Sequence, residues 1–121
     1  MNINGGKNIA LKLSPSKYEE TVRFYTQILG LPASEVESPD HPTVKKSTKI
    51  QFGENTLWLD LMIAETPPQA WLELLTDDMA ATEEHLQQHG IEFEDHLEQI
   101  PAHMHWIRDP AGNVFILKEA K

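Results

Sequence analysis

No cysteine occurs in the 121 residues. Disulfides, thiolate zinc sites and cysteine nucleophiles are therefore excluded. Basic residues are scarce: ten Lys and Arg stand against nineteen Asp and Glu, for a formal charge of −9. A surface of that sign repels nucleic acid, so no nucleic-acid partner is expected. It suits cationic ligands, and it equally serves plain solubility. No apolar run approaches the roughly 20 residues that a membrane span needs. The opening Met1-Asn2-Ile3-Asn4-Gly5-Gly6-Lys7 lacks the apolar core of a signal peptide. A cytoplasmic chain without membrane association is the expectation. A glycine-rich phosphate loop and a nucleophile-elbow serine are also missing. What remains, 40% apolar and 24% charged, is ordinary for one globular domain with its own core.

Ile9-Ala10-Leu11-Lys12-Leu13 alternates as a half-buried strand does. Ser14-Pro15-Ser16 supplies a helix start, with Ser16 as cap and Glu19 three residues on. The helix is predicted over residues 17–29. Tyr18, Val22, Tyr25 and Leu29 form one stripe, widened by Phe24 and Ile28, and Gly30 ends it. Strands are predicted at 33–37, 46–52 and 56–63, with Gly53-Glu54-Asn55 as a turn. Thr66-Pro67-Pro68-Gln69 then breaks the chain, and the order begins again. A strand at 71–75 leads to a helix at 79–89, capped by Thr76-Asp77-Asp78 and ended by Gly90. Strands at 91–97, 103–108 and 114–118 complete it. Asp109-Pro110-Ala111-Gly112-Asn113 predicts a tight hairpin turn: Asp bonds the backbone ahead of it, and Gly or Asn tolerates positive φ. Leu29-Gly30-Leu31 and His89-Gly90-Ile91 lie about sixty residues apart, too long a period for a solenoid. The pattern predicts a single α+β domain, 1–121, of two βαβββ modules at about 8–65 and 69–119.

The strand faces sort into two sets. Ile9, Leu11, Leu13, Leu57, Leu59, Leu61, Leu72, Leu74, Phe115 and Leu117 are aliphatic and predict a core against the two helices. Ala10, Lys12, Trp58, Asp60, Met62, Trp71, Glu73, Ile116 and Lys118 are mixed. Tryptophans with isolated charges suit the lining of a ligand cleft; a dimer interface is the competing reading. Lys12 with Glu73 or Asp60 reads as an acid–base pair or, more commonly, as a salt bridge. His103 and His105 share one face and could supply two metal ligands, with Asp60 or Glu73 nearby. A register shift of one would bring Met104 and Trp106 to that face instead. His85 and His89 are four apart on a polar helix face, which reads as solvated surface.

Two further segments extend these observations. Arg23-Phe24-Tyr25-Thr26-Gln27-Ile28-Leu29-Gly30-Leu31 closes the first helix, and the Asp109–Asn113 turn precedes the last strand. Together with two βαβββ units they resemble the vicinal-oxygen-chelate superfamily, which includes glyoxalase I, extradiol dioxygenases, fosfomycin-resistance enzymes and bleomycin-resistance proteins. The resemblance implies a curled eight-stranded mixed sheet around a cleft, commonly in a homodimer. It also implies a divalent metal held from the first, fourth, fifth and eighth strands. Those positions fall here on Ala10, Asp60, Trp71 and Ile116, where His, Glu, His and Glu are usual. One carboxylate cannot hold a divalent ion firmly.

The expectation is a member without a metal cofactor that binds a small organic molecule, cationic or aromatic, in a tryptophan-lined cleft. Lys12, Trp58, Asp60, Trp71, Glu73 and Ile116 are the candidate contacts, an arrangement similar in outline to bleomycin-resistance proteins. The alternative is a metal-dependent lyase or dioxygenase of the same superfamily with ligands relocated to Asp60, His103 and His105. A protein–protein module with no small ligand is a third class. On the first reading, Asp60→Asn weakens binding of a cationic ligand and leaves stability nearly unchanged.

Overall fold

A computed structural model describes residues 1–97, 103–110 and 112–120. Strand β1 (Ile3–Leu13) leads into helix α1 (Pro15–Arg23) and one π-helical turn (Phe24–Ile28). Strands β2 (Ala33–Glu37), β3 (Val44–Phe52), β4 (Asn55–Met62) and β5 (Gln69–Thr76) follow, then helix α2 (Met79–Gln88) and strands β6 (Met104–Arg108) and β7 (Val114–Glu119). The class is α+β, with one mixed seven-stranded sheet in the order β2-β3-β4-β1-β5-β7-β6. The chain divides into two compact units, Lys7–Ala70 and Met1–Gly6 with Trp71–Lys121.

In the unit Lys7–Ala70, the alternating aliphatic residues behave as their period requires. Tyr18, Val22 and Tyr25 of the first helix and its π turn meet Ile9, Leu11, Leu13, Ile50, Leu57, Leu59 and Leu61 in one cluster. The helix starts earlier than predicted. Ser14 is the N-cap residue and Pro15 follows it, where the missing N–H costs nothing and the fixed φ suits the first turn. Ser16 does not cap. Its N–H and hydroxyl both donate to the Glu65 carboxylate, at 3.0 and 2.5 Å, placing an acid at the positive end of the helix.

The predicted apolar stripe runs out after Tyr25. Phe24, Ile28 and Leu29 are 46%, 63% and 49% exposed. The Leu29 N–H donates to the Phe24 carbonyl at 3.0 Å, a bond five residues back. The π turn thus inserts an extra residue and rotates Ile28 and Leu29 off the buried face. Gly30 closes the turn with φ of 71°.

The second unit pairs β5 with β7 in parallel and β6 with β7 as an antiparallel hairpin. In the connecting turn, Asp109 accepts from the Asn113 N–H at 2.9 Å and Gly112 has φ of 95°. Asp78 caps α2 by accepting from the Ala81 N–H at 3.0 Å. The buried hydroxyls of Thr76 and Thr82 hydrogen-bond at 2.6 Å, tying α2 to β5.

The strand predicted at 91–97 is not one. Residues 91–94 are irregular and 95–97 form a turn and bend. The Glu94 N–H reaches the Trp106 carbonyl at 2.7 Å, but the Trp106 N–H donates to the Asp95 side chain at 3.0 Å. A carboxylate has taken the donor that a backbone ladder would need. The described sheet therefore has seven strands where eight were expected.

Candidate functional site

Strand register builds the mixed face of Lys7–Ala70. Pairing of β1 with β4 sets Ala10 beside Trp58 and Lys12 beside Asp60. Pairing of β3 with β4 adds Lys49 beside Trp58 and Ser47 beside Asp60. Because strand side chains alternate, this face is opposite the one that packs Ile9, Leu11 and Leu13 into the core. Lys12 is only 4% exposed, and its ammonium donates to Asp60 Oδ2 at 2.8 Å. The Ser47 hydroxyl donates to Asp60 Oδ1 at 2.6 Å. Burying either charge alone would be costly, and pairing with hydrogen bonds makes burial tolerable.

Trp58 is half-buried. Its indole N–H donates to Asn8 Oδ1 at 2.9 Å, which fixes the ring, and the Lys49 ammonium lies 5.4 Å from the ring centre. That placement is a cation–π contact.

The mixed face of the second unit carries Trp71, Glu73 and Ile116. Register pairs Glu73 with Ile116, and Ile116 with Trp106. Trp71 is buried and meets Trp106 edge-on, with centroids 6.2 Å apart and planes at 88°. Glu73 accepts from the Lys118 ammonium at 2.6 Å. Gly6 passes so close that a Cβ there would lie 2.5 Å from Glu73 Cγ. The buried Trp106 indole N–H has no acceptor among the described residues.

Register also decides the face of β6: Met104 and Trp106 share the side of Ile116 and Lys118. His105 faces α2 instead. Its Nε2 meets Glu83 at 2.5 Å, its Nδ1 meets Asp95 at 2.9 Å, and its ring stacks on Phe93 with centroids 4.1 Å apart. Burial disfavours the charged ring, but the hydrogen bonds to Glu83 and Asp95, with their charges, outweigh it and raise the His105 pKa. Two members of the relocated metal set already hold other partners. Both nitrogens of His105 are engaged, His103 is exposed in a turn, and Asp60 is bonded to Lys12 and Ser47. Among the described residues, no group of three or more His, Asp and Glu could hold a metal. His85 and His89 lie on the exposed side of α2, with His89 Nδ1 bonded to the His85 carbonyl at 2.8 Å.

A sequence profile of the Glyoxalase/Bleomycin resistance protein/Dioxygenase superfamily matches residues 10–117. The chain belongs to that superfamily. Solved structures agree on the fold. A hypothetical protein from Bacillus halodurans C-125 superposes with a TM-score of 0.70 at 14% identity, covering 100% of this chain and 96% of the other. Methylmalonyl-CoA epimerase from Mycobacterium tuberculosis gives 0.66 at 14% identity, with 98% and 89% covered. A glyoxalase/bleomycin resistance protein/dioxygenase superfamily member from Vibrio splendidus 12B01 gives 0.58 at 12% identity, with 98% and 100% covered. No curated protein matches the sequence.

The positions onto which the resemblance carries the superfamily's metal ligands lack the side-chain donors a divalent ion needs. Ala10, Trp71 and Ile116 carry no oxygen or basic nitrogen donor. Asp60 offers a carboxylate that already holds an ammonium and a hydroxyl. Sequence reasoning singled out Lys12, Trp58 and Asp60 but missed Asn8, Ser47 and Lys49, which hold them. Strand alternation was the available signal for Ser47 and Lys49; their alignment with Asp60 and Trp58 needed the β3–β4 register.

Proposed function

We propose that the protein binds a small organic molecule on the mixed face of Lys7–Ala70, with Trp58 as the aromatic wall, and does so without the superfamily's divalent metal. The state of Asp60 carries this reading. It is the one metal-ligand position with a suitable donor, and its oxygens are taken by Lys12 at 2.8 Å and Ser47 at 2.6 Å. A divalent ion there would have to displace a buried ammonium and would find no second donor at Ala10. The same pairing favours an aromatic ligand over a cationic one. Asp60 and Glu73, the acids that would attract a cation, each hold a lysine. Glu73, Trp71 and Ile116 are the candidate contacts of the other unit. Homodimerisation is part of the same proposal, and light scattering on the eluted protein tests it.

The deciding experiment combines the metal content of freshly purified protein with titration of nickel, zinc, manganese and iron(II), followed by tryptophan fluorescence. The expected result is no stoichiometric metal and no saturable response, while an aromatic-ligand screen gives hits that Trp58→Phe abolishes. A stoichiometric ion that survives dialysis overturns the reading.

A further inference from the structure

The geometry points to an anion subsite beside Trp58, so that the ligand is a small organic acid. This rests on the reading of the mixed face as a ligand surface and fixes the ligand's charge. A depression of about 450 Å³ lies within Lys7–Ala70, lined by Lys7, Ser34, Lys49, Gln51, Asn55 and Thr56 among others. That volume is in the range of small-molecule sites, roughly 300–1,000 Å³. Its polar lining is amides, hydroxyls and two ammonium groups, against one acid, Glu54.

Both lysines sit in one hollow of a chain whose net charge is −9. Lys12, Lys17, Lys46 and Lys118 each pair with a carboxylate. Among the described residues no carboxylate pairs with Lys7 or Lys49. Two ammonium groups, neither so paired, in a hollow with the single acid Glu54 supply the charge a carboxylate seeks. Hydroxyl and amide donors complete its hydrogen bonds.

Lys49 joins this hollow to the aromatic wall. It lines the depression, pairs in register with Trp58 and holds its ammonium over the indole. Ser34 pairs with Lys49, and Gln51 with Thr56, so these side chains share the Trp58 face by strand alternation. A carboxylate in the hollow draws Lys49 towards itself and brings the attached apolar part beside the indole.

The test is a titration with benzoate, its uncharged analogue benzamide and inorganic phosphate. The readouts are the backbone amide resonances of Ser34 and Gln51 and the Trp58 indole N–H resonance. Saturable shifts with benzoate are expected, at least tenfold tighter than with benzamide. Lys49→Gln and Lys7→Gln should each weaken benzoate several-fold while leaving the urea midpoint unchanged. Phosphate matching benzoate would support the anion subsite but overturn its assignment to an organic acid. Benzamide binding as well as benzoate would overturn the anion subsite and leave the Trp58 reading standing. No shift at Ser34 or Gln51 with either anion would overturn it too, whatever the metal and aromatic-ligand tests show.

Discussion

Replacing Asp60 by Asn tests whether the buried pair is part of the fold or a ligand contact. The substitution keeps shape and removes the charge opposite Lys12, whose ammonium is 2.8 Å away and whose residue is 4% exposed. At an effective dielectric of about 20, two unit charges about 4 Å apart attract by about 4 kcal/mol. Leaving one partner of a buried pair uncompensated typically costs about 3–5 kcal/mol. The Asn amide oxygen can accept only part of what Asp60 now accepts from Lys12 and Ser47, so the loss belongs near 3 kcal/mol, a large share of the roughly 5–15 kcal/mol that stabilises a domain. With m of about 1–3 kcal/mol/M, the urea midpoint should fall by about 1–3 M. The reading from sequence was that this variant would leave stability nearly unchanged; the hydrogen bonds of Asp60 reverse it. Lys12→Met with Asp60→Leu removes both charges and should recover most of the loss, because an apolar pair of similar volume is often neutral or stabilising. A drop below about 1 kcal/mol for Asp60→Asn, the range of an exposed ion pair, would refute the reasoning.

His105 gives a pH signature. Its folded pKa is raised above the unfolded value, so its stabilisation is full below the unfolded pKa and is lost as pH rises through the folded one. The urea-midpoint gap between wild type and His105→Gln should be widest at acidic pH and close on raising the pH past the His105 titration; a flat gap would show that the Glu83–His105–Asp95 bridge carries no proton-linked stability. Gly6→Ala would drive a Cβ into Glu73, whose side chain is 8% exposed and held by Lys118. Overpacking of this kind costs about 1–3 kcal/mol. Thermal denaturation should show the loss, and Glu73→Ala in the same chain should relieve it.

Local chemistry was legible in the sequence because each signal is short. The Tyr18, Val22, Tyr25 spacing marked the first helix, and Gly30 and Gly90 marked helix ends with φ of 71° and 76°. Asp109 to Asn113 marked the β6–β7 turn, and the Asp109 carboxylate bonds the backbone ahead as its side-chain length allows. Period-2 alternation separated Ile9, Leu11 and Leu13 from Ala10 and Lys12, and hence picked out Lys12, Trp58 and Asp60. The superfamily's segments were also present in the chain as written.

Tertiary structure alone decided the rest. A one-residue insertion at Phe24–Ile28 leaves the apolar spacing intact on paper yet turns Ile28 and Leu29 to solvent. Residues 91–97 have strand-like composition, but the Asp95 side chain captures the Trp106 N–H. His105 and Trp106 were equally placed to face Ile116 until the β6–β7 register assigned Trp106 to it. Lys12 and Asp60 lie 48 residues apart, so nothing in either neighbourhood encodes their 2.8 Å contact. Periodicity is a property of one segment, whereas register is chosen by the packing of several, and a single-residue slip exchanges every face.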